Sequence, residues 1–321
     1  MTRALRTELF RAMGTVCAIS ATAGPLDEGL ADRALDAARR EVTLCEDALS
    51  RFLADSDLSR LNRESGSWVA VGTRLTEALS ASLRARVTTG GRFDPTILPV
   101  LAAAGYDRSF EELTERAPTT LHGWRAGARI DVDAHAGRAR IERGAAVDLG
   151  GIGKGFAAAR ALNAMRAAWP GLAGGLVDLG GDIGVWGVPP EGGLWCVDIA
   201  DPRLAGRLLG TLELRGGGVA TSGRDTRRFG PAGKLHHLID PRTGAPADSG
   251  PLAVTVVAPS AAEAEVHATA LAVMGAEEAH AHLASRPDLG ALLVPDHGDP
   301  IAIGRLPLAR NQRRARFTVT A

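Results

Sequence analysis

The chain has 321 residues, which is enough for one large domain or two modest domains with a buried core. Lysine plus arginine and aspartate plus glutamate both number 37, so the formal net charge of zero gives no electrostatic reason to expect nucleic acid or an anionic membrane as a partner. The three cysteines, Cys17, Cys45 and Cys196, lie far apart, which predicts buried free thiols rather than a disulfide framework or a zinc site.

The N-terminal residues lack the pattern of a secretory signal, because Glu8 and Arg11 interrupt the apolar stretch. The residues before Cys17 do not form a lipid-attachment site, since Gly14 and the bulky Val16 occupy the key positions. No run of 18 uncharged apolar residues occurs, so no membrane span is predicted. We therefore expect a cytoplasmic protein without a targeting segment.

The first part of the chain predicts one strand followed by helices. Residues 8–21 are β-compatible, and residues 26–49 place apolar side chains at helical spacing. Ser56 is a cap for a short helix, and residues 73–87 predict a helix that begins at a capping threonine and is closed by two glycines. Asp94 precedes a proline, which favours extended backbone, so its carboxylate is expected to project from a turn.

The middle of the chain contains the most informative stretch, residues 147–169. Strands at 128–132 and 139–142 are predicted to pair and lead into it. A short strand ending at Asp148 precedes a loop with four glycines, which carries Lys154, and then an alanine-rich helix. Such a helix N-terminus binds anions, because its first N–H groups are unpaired and the helix dipole favours negative charge. The spacing fits neither common nucleotide-binding pattern, so a tight turn with a surface lysine remains the alternative.

The second half of the chain predicts mostly strands and one clear helix. The predicted strands are residues 195–199, 208–214, 218–223, 235–239, 252–258, 291–294 and 317–320, together with a strand–Gly-Gly–strand unit at 175–186. Residues 260–275 predict a helix, with a capping box at Ser260 and a C-terminal stop at Gly275. Five arginines between residues 305 and 316 are interpreted as a solvated face. The mixture predicts an α+β fold with mixed or antiparallel sheets and packed helices.

Several side chains have chemistry that suits a binding site. Glu265 and Thr269 share one helix face, where their oxygens can bind a hard cation such as Mg²⁺; the alternative is a threonine bonded to its own turn beside a solvated glutamate. His267 lies about 200° round the helix from Glu265, so it is not expected at the same site. His236 and His237 point to opposite faces if they lie in a strand, so only one of them can face a cleft.

Eight short motifs, taken in order, resemble the FAD:protein FMN transferase family, known as ApbE. They are Met13-Gly-Thr15, Leu49-Ser50 with Ser56-Asp-Leu-Ser-Arg-Leu-Asn62, Gly91-Arg-Phe-Asp-Pro-Thr96, Asp148-Leu-Gly-Gly-Ile-Gly-Lys-Gly155, Gly180-Gly-Asp182, Ala220-Thr-Ser-Gly223, His237-Leu-Ile-Asp-Pro-Arg-Thr-Gly244 and Ala268-Thr-Ala-Leu271. Each motif alone is weak, whereas the ordered set is specific. The resemblance implies one catalytic domain over residues 1–321, built as a single unit or as two intertwined lobes.

The resemblance also implies an activity and a set of site residues. Such enzymes use FAD and Mg²⁺, attach FMN through a phosphoester to a Thr or Ser of an acceptor protein, and release AMP. By position, the expected flavin contacts are Met13, Phe52, Arg92, Phe93, Asp94, Asp148, Gly150, Gly151, Lys154, Asp182, Thr221 and His237. The expected metal ligands are the Gly151 carbonyl, Glu265 and Thr269, and the expected catalytic residues are His237, Asp148 and Lys154.

Three departures from the family pattern bear on these expectations. Glu265 replaces the usual aspartate and shifts the ligand reach by about 1.5 Å. Phe52 replaces a frequent tyrosine, and the exported lipoprotein signal of many members is missing, which predicts an acceptor in the cytoplasm or at the cytoplasmic face of a membrane. Two other functions remain open: a Mg²⁺-dependent FAD pyrophosphatase that uses water as the acceptor, and a non-catalytic flavin-binding protein.

Overall fold

The structure is a computed structural model, and it describes residues 3–113, 118–119, 121–248 and 250–309. Seven α-helices are present in these ranges. They are α1 (Glu28–Leu49), α2 (Asp57–Arg63), α3 (Thr73–Thr88), α4 (Leu98–Ala103), α5 (Gly153–Ala168), α6 (Ala261–Val273) and α7 (Ala276–Ala284). With the strands that follow, they confirm the predicted α+β class.

Seventeen strands accompany the helices within the described ranges. The first nine are β1 (Ala4–Ala12), β2 (Thr15–Ala23), β3 (Val69–Ala70), β4 (Ile130–Asp133), β5 (Arg138–Ile141), β6 (Gly174–Leu179), β7 (Ile183–Gly187), β8 (Trp195–Ala200) and β9 (Leu208–Leu214). The others are β10 (Gly216–Gly223), β11 (Arg228–Phe229), β12 (Leu235–His236), β13 (Ile239–Asp240), β14 (Ala245–Pro246), β15 (Ala253–Ala258), β16 (Gly290–Val294) and β17 (Ile301–Gly304).

The core of the fold is an eight-stranded sheet in the order β1-β2-β6-β7-β10-β15-β16-β17, in which every neighbouring pair is antiparallel. Successive residues of a strand face opposite sides, so β6 directs Val177 into the helical core and Leu176 into a second core. Helices α1, α5 and α6 cover the first side, and the β8–β9 hairpin packs its Trp195 against the second. The central strands of the sheet are therefore covered on both faces, whereas the edge strands β1 and β17 are partly exposed.

The predicted strand at residues 8–21 is wrong, because the segment is a hairpin of β1 and β2. Met13 and Gly14 both have positive φ, 52° and 69°, as a tight hairpin turn requires. Glycine tolerates this backbone, but methionine rarely adopts it, so the presence of Met13 made the turn difficult to predict from the sequence. The Met13 N–H donates to Glu46 Oε1 at 2.6 Å, which helps to hold the turn against α1.

The predicted strand before the glycine loop is also wrong. Val147 lies in no strand, and its backbone N–H and C=O are bonded instead by the side-chain amide of Asn62, at 2.8 and 2.9 Å. The N–H of Asp148 donates to the Pro95 carbonyl at 2.8 Å. The hydrogen bonds that a neighbouring strand would supply thus come from the Asn62 side chain and the Pro95 carbonyl, and they hold the start of the loop.

Other boundaries differ from the prediction in ways that have local causes. Thr73 is the first residue of α3 rather than its cap, since Gly72 precedes the helix and donates its N–H to Asp57. Gly275 has φ −69° and is the N-cap of α7, a helix that was not predicted, instead of ending α6 in a left-handed turn. The predicted strand at 235–239 is interrupted between β12 and β13.

The remaining predictions of secondary structure are confirmed where the structure describes them. The β4–β5 pair, the β6–β7 unit across Gly180-Gly181, and the cap of α6 by Ser260 are all present. The three cysteines are buried and free. The predicted strand at 317–320 and all but Arg305 of the arginine cluster lie outside the described residues. None of the described helices combines the length and apolar character needed to cross a membrane.

Candidate functional site

A cavity of about 540 Å³ opens at one end of the sheet, where the glycine loop meets α6. Most of the residues proposed from the sequence line it: Phe52, Arg92, Phe93, Asp94, Asp148, Gly150, Gly151, Lys154, Asp182, Thr221, His237, Glu265 and Thr269. Met13 is the exception, because its methyl group lies near Gly153 on the first turn of α5 and does not line the cavity. The chain thus brings together groups from at least six separate segments.

The glycine loop and the α6 face are in direct contact. The Gly155 N–H donates to Glu265 Oε2 at 2.7 Å, so a first-turn donor of α5 is satisfied by a carboxylate from α6. A Cβ on Gly155 would lie 2.3 Å from the Ala261 carbonyl oxygen, so only glycine allows the two helix N-termini to approach this closely. A Cβ on Gly151 would lie 3.1 Å from Thr269 Oγ1, which places the loop against both members of the predicted pair.

Two carboxylates and one ammonium group form a buried charge cluster beside this contact. Lys154 forms an ion pair with Asp182, which sits in the β6–β7 turn. Burial alone would lower the pKa of Lys154, but the charges of Asp182 and Glu265 outweigh it and raise the pKa. Burial raises the pKa of Glu265 well above its usual value, and the charge of Asp182 adds to this effect. Burial and the neighbouring Asp182 therefore favour the uncharged form of Glu265, which leaves Lys154 and Asp182 as a balanced ion pair.

Asp178 lies below the same turn and is buried as well. Burial raises its pKa to about 6, although the Gly181 N–H, which donates to Asp178 Oδ1 at 2.7 Å, opposes the shift. Burial therefore favours the protonated form of Asp178 more than it would for an exposed aspartate.

Two of the aspartates proposed as flavin contacts already form hydrogen bonds or an ion pair within the protein. Asp94 accepts from the N–H and hydroxyl of Thr96 and from the Gly127 N–H at 2.6 Å, so it shapes the loop at the cavity wall. Asp148 lies 2.7 Å from Arg51 Nε in an ion pair whose side chains are 11% and 8% exposed. Both acids therefore organise backbone and side chains around the cavity as well as lining it.

An aromatic wall lies beside the Arg51–Asp148 pair. The Arg51 guanidinium sits over the rings of Phe52 and Tyr106, 4.2 and 4.8 Å from their centroids. Tyr106 also packs 5.6 Å from Phe229, centroid to centroid. This wall presents flat apolar surface of the kind that stacks on planar rings. Phe52 is among the residues predicted from the sequence, whereas Arg51 and Tyr106 are not, although Tyr106 stands out as the only tyrosine of the chain.

The two neighbouring histidines separate as expected. His236 is buried, and its Nε2 bonds the Ala247 carbonyl at 2.9 Å, whereas His237 lines the cavity. Burial lowers the pKa of His237 to about 3, and the positive charge of Arg227 contributes to the shift. The Nδ1 atom of His237 is buried and bonds no group in the part of the chain that the structure describes. His237 is therefore a neutral imidazole at pH 7 with hydrogen-bonding capacity left over.

The described residues contain no cluster of three or more His, Cys, Asp or Glu side chains placed to hold a metal ion. The donor set at Gly151, Glu265 and Thr269 offers a carbonyl, one carboxylate and a hydroxyl instead. Mg²⁺ accepts such oxygen ligands and commonly completes its shell with water and phosphate oxygens. The groups present therefore fit a hard cation that is bound jointly with a phosphorylated ligand.

His267 lies on the other side of α6 and belongs to a separate network. Its Nε2 is 3.1 Å from Arg286 Nη1, and its Nδ1 is 3.2 Å from His282 Nε2. Burial, followed by the charges of Arg286 and His282, lowers the pKa of His267 to about 3. The histidine has a structural role here, in agreement with its predicted separation from Glu265.

This buried histidine predicts a pH dependence of stability. Below pH 6.5 the unfolded chain binds a proton at His267, whereas the folded protein does not. The contribution of this histidine to the free energy of unfolding is therefore complete above pH 6.5 and is lost as the pH falls toward 3. From pH 7 to pH 5 the loss from this group is about 2 kcal/mol. Urea unfolding at pH 7, 6 and 5 measures it. We expect the slope to flatten in His267→Gln and to persist in the control His280→Gln on the exposed face of α7; equal slopes in all three proteins would contradict the assignment.

Comparison with known proteins agrees with the family resemblance of the sequence motifs. The model of the ApbE family matches residues 13–293. A FAD:protein FMN transferase of Treponema pallidum is 33% identical over 272 residues, covering 78% of this chain and 74% of that protein. The one of Salmonella typhimurium is 28% identical over 261 residues, covering 78% and 73%. The crystal structure of the ApbE protein from Thermotoga maritima superposes with a TM-score of 0.81 at 25% identity, covering 94% of this chain and 97% of that one.

Proposed function

This chain belongs to the ApbE family, and from that premise we propose that it transfers FMN from FAD to a Thr or Ser hydroxyl of an acceptor protein and releases AMP. The names of the relatives, FAD:protein FMN transferase, support the donor and the kind of acceptor. The single observation that carries the proposal to this chain is the 2.7 Å contact between Gly155 N and Glu265, which unites the glycine loop and the α6 face in one cavity.

The cavity suits a flavin dinucleotide in both shape and chemistry. The aromatic wall of Phe52 and Tyr106 offers a stacking surface for a flat ring system. At the other side, the N-terminus of α5 presents its dipole and glycine backbone where a diphosphate would lie. Lys154 already shares its charge with Asp182, so it contributes to phosphate binding as part of that pair.

We assign the divalent cation to the Gly151 carbonyl, Glu265 and Thr269, with the remaining ligands supplied by phosphate oxygens and water. When bound, Mg²⁺ neutralises charge on the diphosphate and on the departing phosphate. Gly151, Glu265 and Thr269 line the same cavity and offer only oxygen ligands, which supports a hard cation at this place. A cation placed next to Glu265 would favour the ionised carboxylate, because an opposite charge lowers the pKa that burial raises.

The reaction itself is a phosphoryl-type displacement. The acceptor hydroxyl oxygen bonds to the phosphorus on the FMN side, the bond from that phosphorus to the bridging oxygen breaks, and AMP leaves with the bridging oxygen. The hydroxyl proton must leave as the new bond forms. His237, neutral because burial lowers its pKa to about 3, can accept a hydrogen bond from the hydroxyl and orient it. It would receive the proton only if the negative charge of the bound diphosphate raised this pKa toward the working pH.

Covalent labelling tests the proposal. The protein is incubated with FAD, Mg²⁺ and candidate acceptors that carry a single Thr or Ser, and a denaturing gel is read for flavin fluorescence while AMP is quantified. We expect a fluorescent acceptor band and an equal amount of AMP, both abolished by chelation of the metal. AMP and FMN released without any labelled acceptor would instead identify a pyrophosphatase, and FAD binding without AMP would identify a flavin-binding protein.

A further inference from the structure

Arg227 lies in the connection between β10 and β11 and lines the cavity, although no sequence motif drew attention to it. Its φ is +46°, and it is one of three non-glycine residues with positive φ among the described residues. Left-handed backbone costs an ordinary residue roughly 1–2 kcal/mol. Such conformations persist where the surroundings hold them and are frequent at ligand sites.

The charge of Arg227 acts on groups from four separate segments of the cavity. Burial raises the pKa values of Tyr106 and Glu265 and lowers that of His237, and the charge of Arg227 opposes the first two shifts and adds to the third. It also opposes the rise in the pKa of Lys154. Arg227 and these four groups line the same cavity. The cavity thus brings Arg227 together with the aromatic wall, the glycine loop, the histidine and the α6 face.

Among the described residues that line the cavity, four carry positively charged side chains. Arg51 pairs with Asp148, Arg92 with Glu278, and Lys154 with Asp182. Arg227 forms no ion pair or hydrogen bond with any residue that the structure describes. The nearest acid in its own loop, Asp225, is held by backbone N–H groups, including that of Thr226. The cavity thus contains one cation whose charge is not neutralised within the protein.

We propose that Arg227 binds the diphosphate of the flavin dinucleotide, an inference that rests on the proposed function. A guanidinium presents two parallel N–H donors that match two oxygens of a phosphate group. The same contact stabilises the negative charge that gathers on the phosphate of the departing AMP. Arg227 thereby supplies the charge that Lys154, already paired with Asp182, only partly provides.

Binding measurements on Arg227→Gln separate this role from a structural one. The change in flavin fluorescence gives the Kd for FAD and for riboflavin, which has the same ring system without phosphate. We expect the Kd for FAD to rise about ten- to a hundredfold, the usual range for a lost hydrogen bond to a charged group. The Kd for riboflavin should stay within about twofold, because the stacking surface is unchanged.

Two further variants complete the test. Arg228→Gln removes the same charge from the next residue, which is exposed and does not line the cavity, and should leave the Kd for FAD within about twofold. Arg227→Gly removes the side chain while relaxing the positive φ, so a loss of FAD affinity there is not caused by backbone strain. An unchanged Kd for FAD in Arg227→Gln, or a parallel loss for riboflavin, would overturn the inference. Failure of the unmodified protein to bind FAD would overturn the proposed function as well.

Discussion

Gly155→Ala is expected to abolish most of the flavin transfer activity and to destabilise the fold. The added Cβ would lie 2.3 Å from the carbonyl oxygen of Ala261 and 2.6 Å from its carbon, and both are backbone atoms that cannot rotate away. The first turns of α5 and α6 must therefore separate, which breaks the bond from Gly155 N to Glu265. Overpacking of this kind costs about 1–3 kcal/mol. Displacement of a site by about 1 Å reduces turnover on the order of a hundredfold.

The matched control lies two residues earlier on the same helix. A Cβ on Gly153 would meet only the Met13 methyl group, at 3.8 Å, which is an ordinary contact. Gly153→Ala should therefore keep the melting temperature and the activity of the unmodified protein. Thermal unfolding and AMP release are measured for both variants. Equal losses in the two proteins, or no loss in Gly155→Ala, would show that the close approach of the helices does not build the site.

Glu265→Gln is expected to remove metal-dependent turnover while FAD binding changes by only a few fold. The amide keeps an oxygen that can accept from Gly155 N, but it removes the charge that we assign to the cation. Loss of residues that merely support metal ligands already costs about 10–100-fold, so loss of a ligand should cost at least about a hundredfold. AMP release is measured over a range of Mg²⁺ concentrations, together with the Kd for FAD.

Glu263→Gln provides the control, because Glu263 belongs to the capping box at the start of α6 and does not line the cavity. It should leave the Mg²⁺ dependence unchanged. Glu265→Asp keeps the charge but withdraws it by about 1.5 Å, so it should retain part of the activity and lose the bond to Gly155. A higher turnover rate in Glu265→Asp would show that the longer glutamate side chain positions the carboxylate less favourably than aspartate does. Full activity in Glu265→Gln would remove the metal from this part of the molecule.

The parts of the fold that the sequence predicted correctly are those specified by local chemistry. Ser260 and Glu263 form the capping box that begins α6, and the two glycines at 180 and 181 supply the positive φ values of the β6–β7 turn. The hairpin at Met13 was missed because its turn uses a residue that seldom adopts such a backbone. The supposed strand at Val147 was wrong because its hydrogen bonds come from a side chain 85 positions away.

The part of the site that could be predicted from the sequence is the part that lies in or beside the ordered motifs. Those motifs led to Glu265, Thr269, Lys154 and the glycine loop, which the structure brings into one cavity. Pairing between charges was not predictable, since nothing local shows that Arg51 neutralises Asp148 or that Asp182 neutralises Lys154. Arg227 was missed for the same reason, because an arginine is notable only when the structure shows that no acid accompanies it.

The bond between Gly155 and Glu265 joins residues that are 110 positions apart, and the amide of Asn62 reaches across 85 positions to Val147. Closing such large loops costs entropy that is recovered only when the distant partners meet, so contacts of this kind form late in folding. During synthesis the ligand pocket cannot exist before α6 has emerged from the ribosome. A dinucleotide that binds only the completed pocket then shifts the equilibrium toward the finished protein, and substrate supply becomes a factor in how much enzyme survives.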